Sequence, residues 1–151
     1  MLLIIGFLFM LFIFAVISIL SGAYRAFIDL PSVLLVFVPL LFFCLVSKSG
    51  KIIGNYIKTS FKKKHVYTAT ELTALSTALK NTGKFILLVG GFGFLTGVIA
   101  ALIYLDSKDR LGPFLATSLL TLMYAITISC FALFPTQAWA ENKINTLKDE
   151  A

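Results

Sequence analysis

The feature that most constrains this chain is a set of four apolar runs, residues 2–20, 32–47, 85–105 and 114–134. None contains an acidic residue, a basic residue or histidine. A helix needs roughly 20 predominantly apolar residues to cross a bilayer. Inside lipid every backbone polar group must find its partner within the protein, which leaves helices or closed barrels as spanning structures. Continuous apolar runs of this length select helices. With 59% hydrophobic and only 13% charged residues, the chain lies outside the range of soluble domains. The expected fold class is all-α: a polytopic membrane protein with four transmembrane helices and little mass outside the bilayer.

Charge sets the orientation. The net charge is +6, and eight of the 13 basic residues lie between the second and third runs: Lys48, Lys51, Lys58, Lys62, Lys63, Lys64, Lys80 and Lys84. By the positive-inside rule that connection is cytoplasmic, and with four spans both termini are cytoplasmic too. The outer connections carry only Arg25 in one, and Lys108 and Arg110 in the other. The lysines read as attraction to anionic membrane lipids, on the order of 1 kcal/mol each. No nucleic-acid partner is expected, because no binding fold or aromatic platform accompanies them. Cys44 and Cys130 fall inside apolar runs and act there as small hydrophobes.

Taken in order, residues 2–20 are expected to form a retained first span. They lack a basic leader segment, and the apolar core is longer than a signal peptide needs. The connection Ser21–Pro31 turns the chain outside. Asp29 or Ser32 caps the second helix, with Pro31 tolerated in its first turn. Pro39 should bend that span. Beyond Ser47 the helical pattern continues through Ile53, Tyr56, Ile57 and Phe61. His65 stands alone and is assigned no role. Thr68 and Glu71 have capping-box spacing, and Leu72, Leu75 and Leu79 then share one face up to Gly83. Residues 48–84 are therefore expected to be a short cytoplasmic helical hairpin extending spans 2 and 3, too small for a core of its own. The whole chain is then a single membrane domain.

The third run stands apart because Gly90, Gly93 and Gly97 recur at helical spacing, with Ala100 and Ala101 extending the same face. Small residues let helix backbones approach closely in lipid, where packing replaces the hydrophobic drive. Two readings are open: a tight contact within one subunit, or a face turned to a partner or pore. The fourth run is rich in hydroxyls. Ser118, Thr121, Ala125 and Ser129 fall on roughly one face, matching the small face of the third span. Such hydroxyls often bond to a carbonyl one turn back. Asp106–Pro113 is expected as an outer turn and Pro135 as the close of the fourth span. Residues 136–151 then form a cytoplasmic tail in which Trp139 is an interfacial anchor.

The chemistry of enzymes is missing. No nucleophile–base pair, metal cluster or phosphate-cradling loop can be assembled, so no catalytic residue, metal or cofactor is expected. Ion coupling usually requires a carboxylate or histidine at membrane depth. Without one, this chain can take part in ion translocation only if another subunit brings the titrating group.

Three stretches resemble the MotA/TolQ/ExbB proton-channel family, closest to its MotA branch. Phe27-Ile28-Asp29-Leu30-Pro31-Ser32, followed by Val33-Leu34-Leu35-Val36, looks like the start of the second span of MotA-type stators. Gly93-Phe94-Leu95-Thr96-Gly97-Val98-Ile99, with Leu111-Gly112-Pro113 after it, is similar to the third span and its exit. Leu119-Leu120-Thr121-Leu122-Met123-Tyr124-Ala125, ending at Pro135, is similar to the fourth. The resemblance implies a homo-oligomeric ring, a pentamer, in a bacterial inner membrane. The ring surrounds a dimer of single-span partners of the MotB/ExbD/TolR kind, whose aspartate carries the ion. It also implies that the third and fourth spans line the inside, so that Thr96, Ser118, Thr121 and Ser129 become ion-pathway or partner-facing candidates. Gly90, Gly93, Gly97, Ala101 and Ala125 become packing residues.

Two departures from the family are plain. Phe94 and Leu122 occupy the positions where conducting members commonly carry threonine, and the rotor-engaging domain of flagellar MotA is replaced by a short hairpin. The expectation is a ring-forming subunit of a proton- or sodium-driven rotary motor or energiser. The alternative is a non-conducting tetraspan scaffold or assembly protein.

Overall fold

The Asp29 carboxylate caps the helix that follows it. It accepts the Ser32 N–H at 3.0 Å, which satisfies one of the donors that every helix leaves free at its start. In the computed structural model, which describes residues 2–20, 29–61, 67–105 and 108–149, the helices are α1 (Leu2–Leu20), α2 (Leu30–Val46), α3 (Ser49–Ser60), α4 (Ala69–Ile103), α5 (Lys108–Ile128) and α6 (Phe134–Asp149). One π-helical turn, Ser129–Leu133, joins α5 to α6. No strand occurs among the described residues. The outer connection at 21–28, the lysines at 62–64 with His65, and residues 106–107 of the second outer turn lie outside them.

The protein is all-helical, with two helices long and apolar enough to cross a membrane: α4 and the unbroken stretch Asp109–Asp149. A third is present if α2 and α3 count as one bent span, whereas α1 offers a shorter apolar helix over Ile4–Ile17. Outward faces carry exposed large apolar side chains, among them Phe12, Phe42, Leu45, Leu88, Phe92 and Ile103. That pattern suits a lipid solvent, in which outward apolar surface carries no penalty.

The α4 helix starts as its sequence dictates. The Glu71 N–H donates to the Thr68 hydroxyl at 3.3 Å and the Thr68 N–H donates to the Glu71 carboxylate at 3.1 Å, a closed capping box. Leu72, Leu75 and Leu79 are buried on one face, as their spacing requires. The helix then runs without a break through Gly83 and into the apolar stretch.

The hairpin at 48–84 differs from expectation at its first limb. Span 2 does not extend straight outward; α3 leaves α2 at 91°. The break lies at Lys48, whose φ of 57° is left-handed, a conformation that costs a residue with a Cβ roughly 1–2 kcal/mol. Ser47 supports the corner: its hydroxyl lies 2.6 Å from the Phe43 carbonyl and 2.8 Å from the Ser49 hydroxyl. The bend lays α3 across α4, burying Tyr56 and half-burying Ile53 and Ile57. Phe61, expected on the same face, is exposed instead.

Two further expectations fall at prolines. The turn after α4 does not reach Pro113, because α5 already begins at Lys108 and contains that proline. The turn is braced by Tyr104, which stacks on Phe114 at 5.3 Å and lies under the Arg110 guanidinium. Nor does the helix end at Pro135. In a regular α-helix its ring would crowd the Phe131 carbonyl and break a hydrogen bond. The π turn widens the helix at that point, the Phe134 N–H reaching back five residues to the Ser129 carbonyl. The helix therefore passes the proline and continues into the tail.

The tail belongs to the core. Trp139, expected as an interfacial anchor, packs its ring 5.9 Å from both Tyr56 and Tyr67. Tyr56, Leu72, Leu75, Leu79 and Ala140 form one buried cluster that joins α3, α4 and α6. At the other end α1 docks on the π turn, with Phe9 and Phe131 5.9 Å apart. Gly6 lies against the Phe131 carbonyl there, so closely that any side chain would collide with it.

Candidate functional site

The glycine face of α4 is filled by α5 of the same chain. A Cβ on Gly93 would come within 2.5 Å of the Thr121 methyl and 2.7 Å of Leu35 Cδ2. One on Gly90 would collide with the Ala125 Cβ, and one on Gly97 with the Ser118 Cβ. Ala101 continues the buried face. Each glycine thus meets one small residue of α5, the close approach that small residues make possible in lipid. The two helices are neighbours in sequence joined by a short turn, and antiparallel pairing is the nearest solution open to them.

This changes the reading of the hydroxyl face. Ser118 and Thr121 are each 1% exposed, sealed between α4 and α5. Their hydroxyls donate back along their own helix, Ser118 to the Leu115 carbonyl at 2.8 Å and Thr121 to the Thr117 carbonyl at 2.9 Å. Within the chain they are packing residues, buried and not open. Ser32 adds a cross-tie, its hydroxyl lying 2.6 Å from the Asp29 carboxylate and 3.0 Å from the Thr117 carbonyl of α5. Sequence reasoning treated Ser32 only as a possible cap, since nothing local signals a partner 85 residues away.

Thr96 is placed differently. It is exposed on α4 beside exposed Phe92, Leu95 and Ile99, and its hydroxyl donates to the Gly93 carbonyl at 2.9 Å. Of the four hydroxyl candidates it alone stands on an open face. Phe94 and Leu122 are half-buried on the flanks of the seam. Ser129 sits in the π turn, 8% exposed, and its hydroxyl has no hydrogen-bond partner. Thr127 and Thr136, on either side of it, both bond to a carbonyl four residues back.

Beyond the seam, the polar chemistry gathers where α4 and α6 run side by side. The Glu141 carboxylate accepts from the Ser76 hydroxyl and from the Gln137 amide, each at 2.9 Å. These two bonds, with Lys80 nearby, hold its pKa below the ordinary carboxylate value. Sequence reasoning missed this contact because Ser76 and Glu141 are far apart in the chain. No group of three metal-ligating side chains converges among the described residues. Compared with models of known protein families, with curated proteins and with solved structures, the chain matches none.

Proposed function

We propose that this protein is a membrane-embedded subunit of an ion-driven assembly, a ring-forming chain that packs around a single-span partner whose aspartate carries the ion. In this reading it has four spans, both termini in the cytoplasm, and a bacterial inner membrane as its home. The observation that carries it is the paired α4 and α5–α6 helices, whose apolar stretches hold no acidic, basic or histidine side chain while Thr96 stays open on the outer face of α4. Such a wall can border an ion path but cannot carry a proton itself. The resemblance of the three stretches around Pro31, Gly93 and Thr121 gives the reading its content.

A second reading, a non-conducting scaffold, is favoured by a different observation. Ser118 and Thr121 are spent inside the subunit, and neither Phe94 nor Leu122 offers a hydroxyl in their place. Imaging of the assembly purified from membranes separates the two. Several copies around a central non-identical helix pair support the motor subunit. Monomers or dimers without a central chain sink it. Where a ring is present, Thr96→Val should reduce ion flux without altering subunit count, and unchanged flux leaves the scaffold reading standing.

A further inference from the structure

Where α4 passes from its polar beginning into its apolar stretch, a cavity of about 250 Å³ opens between it and the π turn. Its polar wall is made by Lys80, Lys84, Ser129 and Gln137, and its apolar wall includes Leu87 and Phe134. Lys80 and Lys84 are one helical turn apart and so share a face. Ser129 is more than nine-tenths buried, and its hydroxyl is without a partner. A buried hydroxyl left unbonded costs free energy, so the Ser129 hydroxyl has a bond to gain from a polar group in the cavity. The Glu141 carboxylate, which Lys80 faces, is already engaged by Ser76 and Gln137. Two ammonium groups therefore outweigh one carboxylate, and the cavity favours an anion.

We propose that this cavity holds the phosphate of an anionic phospholipid. The lysines supply charge and the Ser129 hydroxyl supplies a directed donor. Leu87 and Phe134 are both exposed on the apolar side, where they offer a path for the acyl chains that a free phosphate would leave unused. Lys84 is the last residue before the apolar stretch that begins at Phe85, the depth at which headgroup phosphates lie. Basic pockets between helices at the cytoplasmic face recognise lipid headgroups by these means. The inference stands apart from the proposed motor role and would hold for a scaffold equally.

The test is titration of the delipidated full-length protein in neutral detergent with phosphatidylglycerol, phosphatidylcholine or inorganic phosphate, reading bound molecules by native mass spectrometry. Phosphatidylglycerol is expected to be retained in preference to phosphatidylcholine. Retention should fall about fivefold for each of Lys80→Gln and Lys84→Gln, and Lys51→Gln, on the exposed face of α3, should leave it unchanged. Ser129→Ala, which removes only the hydroxyl, should weaken retention without lowering the melting temperature. It covers the case in which the lysine variants fail to fold. Equal retention by wild type, the lysine variants and Ser129→Ala overturns the proposal. Displacement of the lipid by excess inorganic phosphate overturns the lipid assignment and gives the site to a soluble anion.

Discussion

Gly93 and Thr121 face each other so closely that one added methyl on the glycine would lie 2.5 Å from the threonine Cγ2. That approach fixes the distance between α4 and α5. Gly93→Ala should therefore lower stability by about 1–3 kcal/mol, the usual cost of overpacking. Thr121→Ser removes the opposing methyl and should recover part of the loss in the double variant. Reversible unfolding in mixed micelles gives all four corners of the cycle, and strict additivity would show that the two residues do not press on each other.

Thr121→Val keeps the shape of the side chain and removes a hydroxyl that bonds only to its own helix at the Thr117 carbonyl. Stability should change by less than about 1 kcal/mol, since the lost bond is local and its net value small. A larger loss in the same unfolding assay would mean that the hydroxyl serves something beyond its own helix.

Acid should loosen the junction of α4 with α6. Glu141 is held below its ordinary pKa by Gln137 and Ser76. Its contribution is fully present above the unfolded-state value, about 4.3, and is lost as pH falls through the lower folded value. Melting temperature should drop over that acidic window, and Glu141→Gln should flatten the drop. An identical acid profile in wild type and variant would count against the contact.

Lys48 holds the corner between α2 and α3 with a positive φ. Lys48→Gly should be tolerated because glycine adopts this conformation freely. Lys48→Val, β-branched, should be worse than the glycine variant by about 1–2 kcal/mol. Thermal melts of the two variants side by side provide the check, and a valine variant as stable as the glycine one would show the corner to be relaxed.

What could be read in the sequence was local or periodic. The Thr68–Glu71 box and the Asp29 cap involve residues three apart, so spacing alone suffices. The buried face through Leu72, Leu75 and Leu79 follows from helical period. Glycine spacing at 90, 93 and 97 gave the existence of a close contact but not its occupant, since a stripe of small residues carries no label for own chain or partner. The corner at Lys48 escaped because lysine is not a residue that marks a turn. Pro135 misled because a proline ordinarily ends a helix, and only a π turn in front of it lets the chain carry on. Trp139 finds Tyr56 and Tyr67 across long stretches of chain, a pairing that no local pattern announces.

The continuity past Pro135 has a mechanical consequence. The stretch Asp109–Asp149 counts 41 residues, about 60 Å at the rise of an α-helix. Set across a hydrocarbon layer, only about 30 Å thick, such a rod would leave roughly half its length clear as a lever. A tilt of about 10° in an embedded half would sweep the free end through about 5 Å. Because α6 is tied to α4 by Glu141 with Ser76 and by the buried cluster of Leu72, Leu75, Leu79 and Ala140, the two levers would swing together, and a small reorientation among lipids would arrive in the water as a displacement about the size of one helical turn.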